Sequence, residues 1–179
     1  MRFNRTIIAC AVALLPLVSS TVLAGDVLTI AGNVGATNRP AFEPFRDAFF
    51  KYHDRGFESA YAFTEDALRQ LPQHTVQANV KGWPAALRGT GPRLRDLLKA
   101  AKVPQSATLT VISLDGYAAE LSPKEIAGED WILAVDVDGR PLGIGGRGPA
   151  WLMHDTGGKQ ISTDLEAKWI WSAFMIVAK

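Results

Sequence analysis

The chain has 179 residues, 47% of them hydrophobic and 21% charged, with a formal charge of +1. That is length enough for one domain with a real core, in an ordinary globular balance. A charge so close to zero implies no basic surface of the size that holds nucleic acid.

Residues 1–24 read as a segment apart from the fold. Arg2 and Arg5 precede an apolar run from Ile7 to Val18, and Val22-Leu23-Ala24 offers tolerated or small residues at −3 and −1 of a cleavage site. A membrane-spanning helix needs about 20 apolar residues. This run is shorter and is broken by Pro16. The reading is a cleaved secretory signal at 1–24, with an uncleaved anchor as the minor alternative, hence an exported, periplasmic protein with no direct membrane insertion after cleavage, and a single domain over 25–179. Removing 1–24 takes two arginines and no acid, turning the charge from +1 to −1. It also removes Cys10, the only cysteine. Beyond residue 24, disulfides, thiolate metal sites, c-type haem attachment and a cysteine nucleophile are therefore all excluded.

Taken in order, Val27-Leu28-Thr29-Ile30 is an opening strand and 32–40 a loop rich in Asn and Gly. Phe42, Phe45 and Phe49 fall at helical spacing and predict a short helix whose aromatic residues join the core. A hairpin strand over Phe57–Phe63 follows. Thr64 is an N-cap with Glu65 and Asp66 in the first turn, and Pro72 ends that helix. Val76, Ala78 and Val80 alternate as a half-buried strand. A loop carrying Trp83 then leads into a helix with Pro92 at its first position and Leu94, Leu97, Leu98 and Ala101 on one face.

Leu109, Val111 and Ser113 form the next strand, Asp115-Gly116 a turn, and 118–121 pairs back. Ser122-Pro123-Lys124-Glu125 fits a capping box. Residues 131–137 are an apolar strand and Asp138-Gly139 a two-residue hairpin. Residues 149–153 are a further strand, and 163–166 a last short helix. Trp169 and Trp171 share one strand face as the apolar tail closes the sheet. The whole is α+β: one domain with a mixed β-sheet and short helices.

Several catalytic patterns fail. Gly143 to Gly148 spells G-x-G-x-x-G, but a dinucleotide fingerprint needs a helix to open there, and Pro149-Ala150-Trp151-Leu152 reads as extended chain. His53, His74 and His154 have no metal-ligand spacing. No serine sits in a G-x-S-x-G elbow. Asp136 and Asp138, at a strand end and a turn, need only solvent.

Four segments in order do carry a resemblance. They are Leu28-Thr29-Ile30-Ala31-Gly32; Val80-Lys81-Gly82-Trp83 leading into Gly91-Pro92-Arg93-Leu94-Arg95-Asp96-Leu97-Leu98; Leu114-Asp115-Gly116-Tyr117-Ala118-Ala119-Glu120-Leu121; and Asp138-Gly139-Arg140-Pro141-Leu142 with Arg147-Gly148-Pro149-Ala150-Trp151-Leu152. The series resembles the molybdopterin-binding domain of the sulfite-oxidase family. That resemblance implies the corresponding fold and a cysteine thiolate on molybdenum. The matching place here is near Asn79, within Gln77-Ala78-Asn79-Val80, and a neutral amide is a poor ligand for such a metal.

Tyr117 looks like the tyrosine that faces the metal in those enzymes. The chain is similar to small exported, cysteine-free members, the PruR-like proteins. These bind free pterins and signal to inner-membrane proteins that make or degrade cyclic di-GMP. The resemblance thus implies a non-catalytic protein that requires no cofactor, takes a pterin as ligand, and partners the periplasmic domain of a diguanylate cyclase or phosphodiesterase. A molybdopterin-dependent oxidoreductase lacking the usual cysteine is the alternative, and a structural or assembly role for a degenerate fold a third.

A pterin has a donor edge, carbonyl and ring acceptors, and two flat faces. Trp83 or Trp151 could stack on it, Asp115 take the amino edge, and Arg147 donate to the carbonyl, with Asn79 and Tyr117 orienting. Each residue also has a plain role. Asp115 is a turn former, Tyr117 a half-buried strand residue, Arg147 a solvated loop charge, and the tryptophans packing anchors.

Overall fold

The computed structural model describes residues 25–179; the proposed signal segment lies outside them. Among the described residues no helix is long and apolar enough to cross a membrane. Over the described residues the architecture is α+β, three sheets and five short helices packed as a single body.

The first sheet is built round the opening strand β1 (Asp26–Gly32). On one side lies β2 (Ala60–Thr64), antiparallel; on the other β11 (Ala173–Ala178), parallel, with Thr29 opposite Met175. Beyond β11 come β5 (Leu109–Ser113) and β6 (Ala118–Leu121), giving the order β2-β1-β11-β5-β6. β5 is buried along its whole length and β11 nearly so, the pattern of central strands covered on both faces.

The second sheet runs β3 (Gln73–Ala78), β4 (Leu87–Pro92), β8 (Asp136–Val137) and β9 (Arg140–Pro141). The third pairs β7 (Trp131–Ala134) with β10 (Trp151–His154). One core cluster spans all three sheets, with Ile30, Leu68, Leu94, Leu97, Leu133 and Leu152 fully buried. Each such side chain contributes roughly 1.5–3 kcal/mol by leaving water.

Several local signals act as read. α2 (Glu65–Gln70) starts where Thr64 Oγ1 accepts from the Ala67 amide at 3.1 Å. α4 (Pro123–Gly128) carries the full capping box between Ser122 and Glu125, with Pro123 in the first turn. Asp138 and Gly139, both with positive φ, turn β8 into β9, as that dipeptide favours.

Other expectations are corrected. Leu87–Pro92 is not the approach to a helix but the strand β4, paired with β3 on one side and β8 on the other. Gly89 and Gly91 permit it. A Cβ on Gly91 would collide with the Leu133 carbonyl and the Ala134 backbone, and one on Gly89 with the Met153 sulfur. Pro92 ends that strand, and α3 (Leu94–Ala100) begins after Arg93, so Pro92 is not its first residue. The 131–137 strand divides at Val135, where β7 leaves one sheet and β8 enters another.

The aromatic segment departs furthest. α1 (Ala48–Tyr52) is one turn long; Phe50 is buried, but Phe45 and Tyr52 are 89% and 82% exposed. Trp169 is buried while Trp171 is 40% exposed, and neither lies in a strand, so they share no face. Asp136 and Asp138 do more than meet solvent. Arg69 pairs with both oxygens of Asp136 at 2.7 and 3.2 Å, and Asp138 Oδ1 accepts from the Arg88 amide.

Candidate functional site

Three of the six candidate residues come together directly. Trp83, at the Lys81–Pro84 turn, and Trp151, the first residue of β10, have ring centroids 5.5 Å apart. The Arg147 guanidinium lies 4.4 Å from the Trp151 ring centroid and 5.9 Å from that of Trp83, within the range of a cation–π contact. The Gly143–Gly148 stretch positions Arg147 as a turn; no helix opens there. Its carbonyl accepts from the Ser172 amide, and the Ala150 carbonyl accepts from the Ala173 amide, so the loop is tied to the start of β11.

A third tryptophan completes the cluster. Trp169 meets Trp83 edge-on at 6.0 Å and the His154 ring at 5.0 Å, while His154 lies 4.8 Å from Trp131. The Trp83 Nε1 donates to Glu166 Oε1 at 3.2 Å. By contrast, the Nε1 groups of Trp151 and Trp169 are both buried without a hydrogen-bond partner. A donor withdrawn from water and left unpaired is unfavourable by about 1–3 kcal/mol, so two in one cluster call for an explanation. Acceptors brought by a ligand would supply one.

Asp115 and Tyr117 sit at the adjoining β5–β6 turn. Asp115 Oδ1 accepts from the Tyr117 amide at 2.9 Å, the chief reason its carboxyl is held below the ordinary range. Its turn-forming role is therefore realised, and both residues are exposed. The Tyr117 hydroxyl does not point to an open site; it donates to the Ala167 carbonyl at 2.8 Å. Close approach of the His53 ring, which packs against Gly116, joins this turn to the end of α1.

Asn79 follows β3. Its side-chain amide donates to the Gly158 carbonyl at 3.2 Å and its own carbonyl accepts from the Ile161 amide at 3.0 Å. It reaches the cluster only through the backbone, by way of Val80, whose carbonyl accepts from the Trp83 amide. Arg93 and Arg95 are not free surface charges: both hold Asp130, at 3.1 and 2.8 Å.

Trp169 and Glu166 are the residues the sequence reading passed over. The partner contact of Glu166 spans 83 positions, and no local pattern marks it. Trp169 was legible only as an aromatic, and aromatics are usually core.

Trp151 and Trp169 are buried, Trp83 is half-buried and Arg147 is exposed. A cavity of about 980 Å³ lies between α3, the 102–107 loop and α4, floored by Leu98, Val103 and Ile126, and a second of about 420 Å³ lies beside Gly56 and Met175. None of the six candidate residues lines either. Among the described residues no group of three or more His, Cys, Asp or Glu is placed to hold a metal. No protein-family model matches this chain, and no curated protein matches it.

Proposed function

We propose that this chain is an exported pterin-binding protein of sulfite-oxidase-like fold that performs no redox chemistry. It relays pterin occupancy to the periplasmic part of an inner-membrane enzyme that makes or degrades cyclic di-GMP. One observation carries the ligand half: three tryptophans are gathered together, the Arg147 guanidinium lies over two of them, Trp83 and Trp151, and Trp151 and Trp169 keep buried, unpaired N–H donors. A pterin offers what that cluster lacks, a flat π face and acceptor atoms at its carbonyl and ring nitrogens. The guanidinium would donate to the carbonyl, and the remaining carboxylate oxygen of Asp115 is the acceptor for the amino edge.

The same residues do not fit a thiolate-held molybdenum. Near the corresponding place stands Asn79, neutral and already donating to Gly158. Amide oxygen is a hard, uncharged donor where the metal calls for a soft anion. The relay half rests on the order of the four sequence segments and on the export signal. Calorimetry tests the ligand half: titrating reduced pterins into purified protein should give saturable heat, and no saturable heat with any of them would sink the reading.

A further inference from the structure

Trp151 and Trp169 are buried, which raises the question of how a ligand reaches their N–H groups. We propose that residues 162–168 form a strap across the tryptophan cluster. Its release admits a flat ligand bearing carbonyl or carboxylate oxygens, which the buried N–H groups of Trp151 and Trp169 then take up. This deepens the pterin reading and rests on it for the ligand, though not for the strap.

Polar contacts, not burial, attach the strap. Its helix, α5 (Thr163–Glu166), has no buried residue, and Leu165 is 59% exposed. Apolar burial therefore does not hold it down. Three polar ties do: Glu166 accepts from Trp83 Nε1, the Ala167 carbonyl accepts from the Tyr117 hydroxyl, and Lys168 pairs with Glu125 on α4. Both ends are anchored differently. Ile161 bridges to Val80, with backbone hydrogen bonds to Asn79 and Lys81, and Trp169 is 3% exposed. A segment fixed at its ends and held between them by part-exposed polar contacts opens more readily than the strands beneath it.

The strap's inner contact leads to the tryptophan cluster. Glu166 touches Trp83 directly, and Trp83 contacts both Trp151 and Trp169. The two indole donors there, on side chains at least nine-tenths buried, have no partner in the closed arrangement. Lifting the strap exposes the cluster, and ligand oxygens satisfy the donors. Tyr117 becomes a latch, a role separate from touching the ligand. Its position on the β5–β6 turn links strap release to the exposed surface around Asp115 and Tyr52.

Lys168→Met tests this because it removes a tie without altering the cluster. A part-exposed ion pair is worth a factor of roughly two to five in an opening equilibrium. Hydrogen exchange of residues 163–169, measured without ligand, should quicken by that factor in the variant, while β5 and β11 amides keep their rates. Adding Tyr117→Phe should quicken it again. The association rate of 7,8-dihydrobiopterin, followed by tryptophan quenching, should rise in parallel. Exchange of the strap as slow as that of β11, or unchanged in both variants, overturns the strap. Faster exchange with no quenching by the pterin leaves the strap standing and removes the pterin reading instead.

Discussion

Arg147 is exposed, yet its guanidinium rests on Trp151 and reaches Trp83. Guanidinium is planar and weakly hydrated, so it can stack on indole while its edge N–H groups remain free to donate. Lysine can supply the charge but neither the plane nor the fork of donors. Arg147→Ala should therefore weaken reduced-pterin affinity about tenfold, roughly 1.4 kcal/mol, and Arg147→Lys should recover only part of it. Equal affinities for all three proteins, by calorimetry, would take Arg147 out of the site. At this scale the sequence was a partial guide. Trp83, Trp151 and Arg147 could be named because a flat ring calls for an aromatic face and its carbonyl for a donor, and all three stand in the segments that carry the resemblance. Asp115 and Tyr117 could be named too, and their hydrogen bonds link the Asp115 carboxylate to the Tyr117 amide and the Tyr117 hydroxyl to the Ala167 carbonyl. Trp169, Glu166 and Lys168 were missed because each acts through a long-range contact that spacing does not encode.

Among the elements, caps and hairpin turns were legible and β4 was not. Thr64, Ser122 and Asp138-Gly139 act through neighbours within three residues, so their chemistry is written locally. Gly89-Thr90-Gly91-Pro92 looks like a loop for equally local reasons, but tertiary packing overrides them: the glycines let β4 lie against β7 and β10. Gly91→Ala should consequently destabilise by about 1–3 kcal/mol or more. Gly143→Ala, with open space round its Cβ, should stay within about 0.5 kcal/mol of the parent. Urea midpoints compare them directly, and equal values would contradict the packing account.

The tie between α4 and the strap adds a pH dependence. The Lys168 ammonium, with help from Ser122, holds the Glu125 carboxyl well below its ordinary range, at about 2. A folded pKa below the unfolded one stabilises the native state fully above about pH 4.5, and that contribution fades as pH falls towards 2. Both side chains are more than a third exposed, so the pair is worth about 1 kcal/mol or less. The stability gap between the parent protein and Lys168→Met should shrink across that window. A gap constant from pH 6 to pH 3 would show that the pair contributes nothing.

For the molecule as a whole, the alternation of short strand and helix patterns went further than any single motif. The α+β class followed from alternating short strands and helices, and the rejected glycine motif is a turn, as the extended Pro149–Leu152 run required. The division into three sheets was not legible, because it depends on the break at Val135 and on a parallel pairing between the first and last strands of the described residues. The account's central claim also belongs to this scale: a pocket in which tryptophans and an arginine grip a ring, without sulfur to hold a metal. Protein isolated from its own host, assayed on one sample for molybdenum by elemental analysis and for released pterin by fluorescence, tests that claim most directly. The account predicts pterin with no more than trace molybdenum; molybdenum in stoichiometric amount would contradict it.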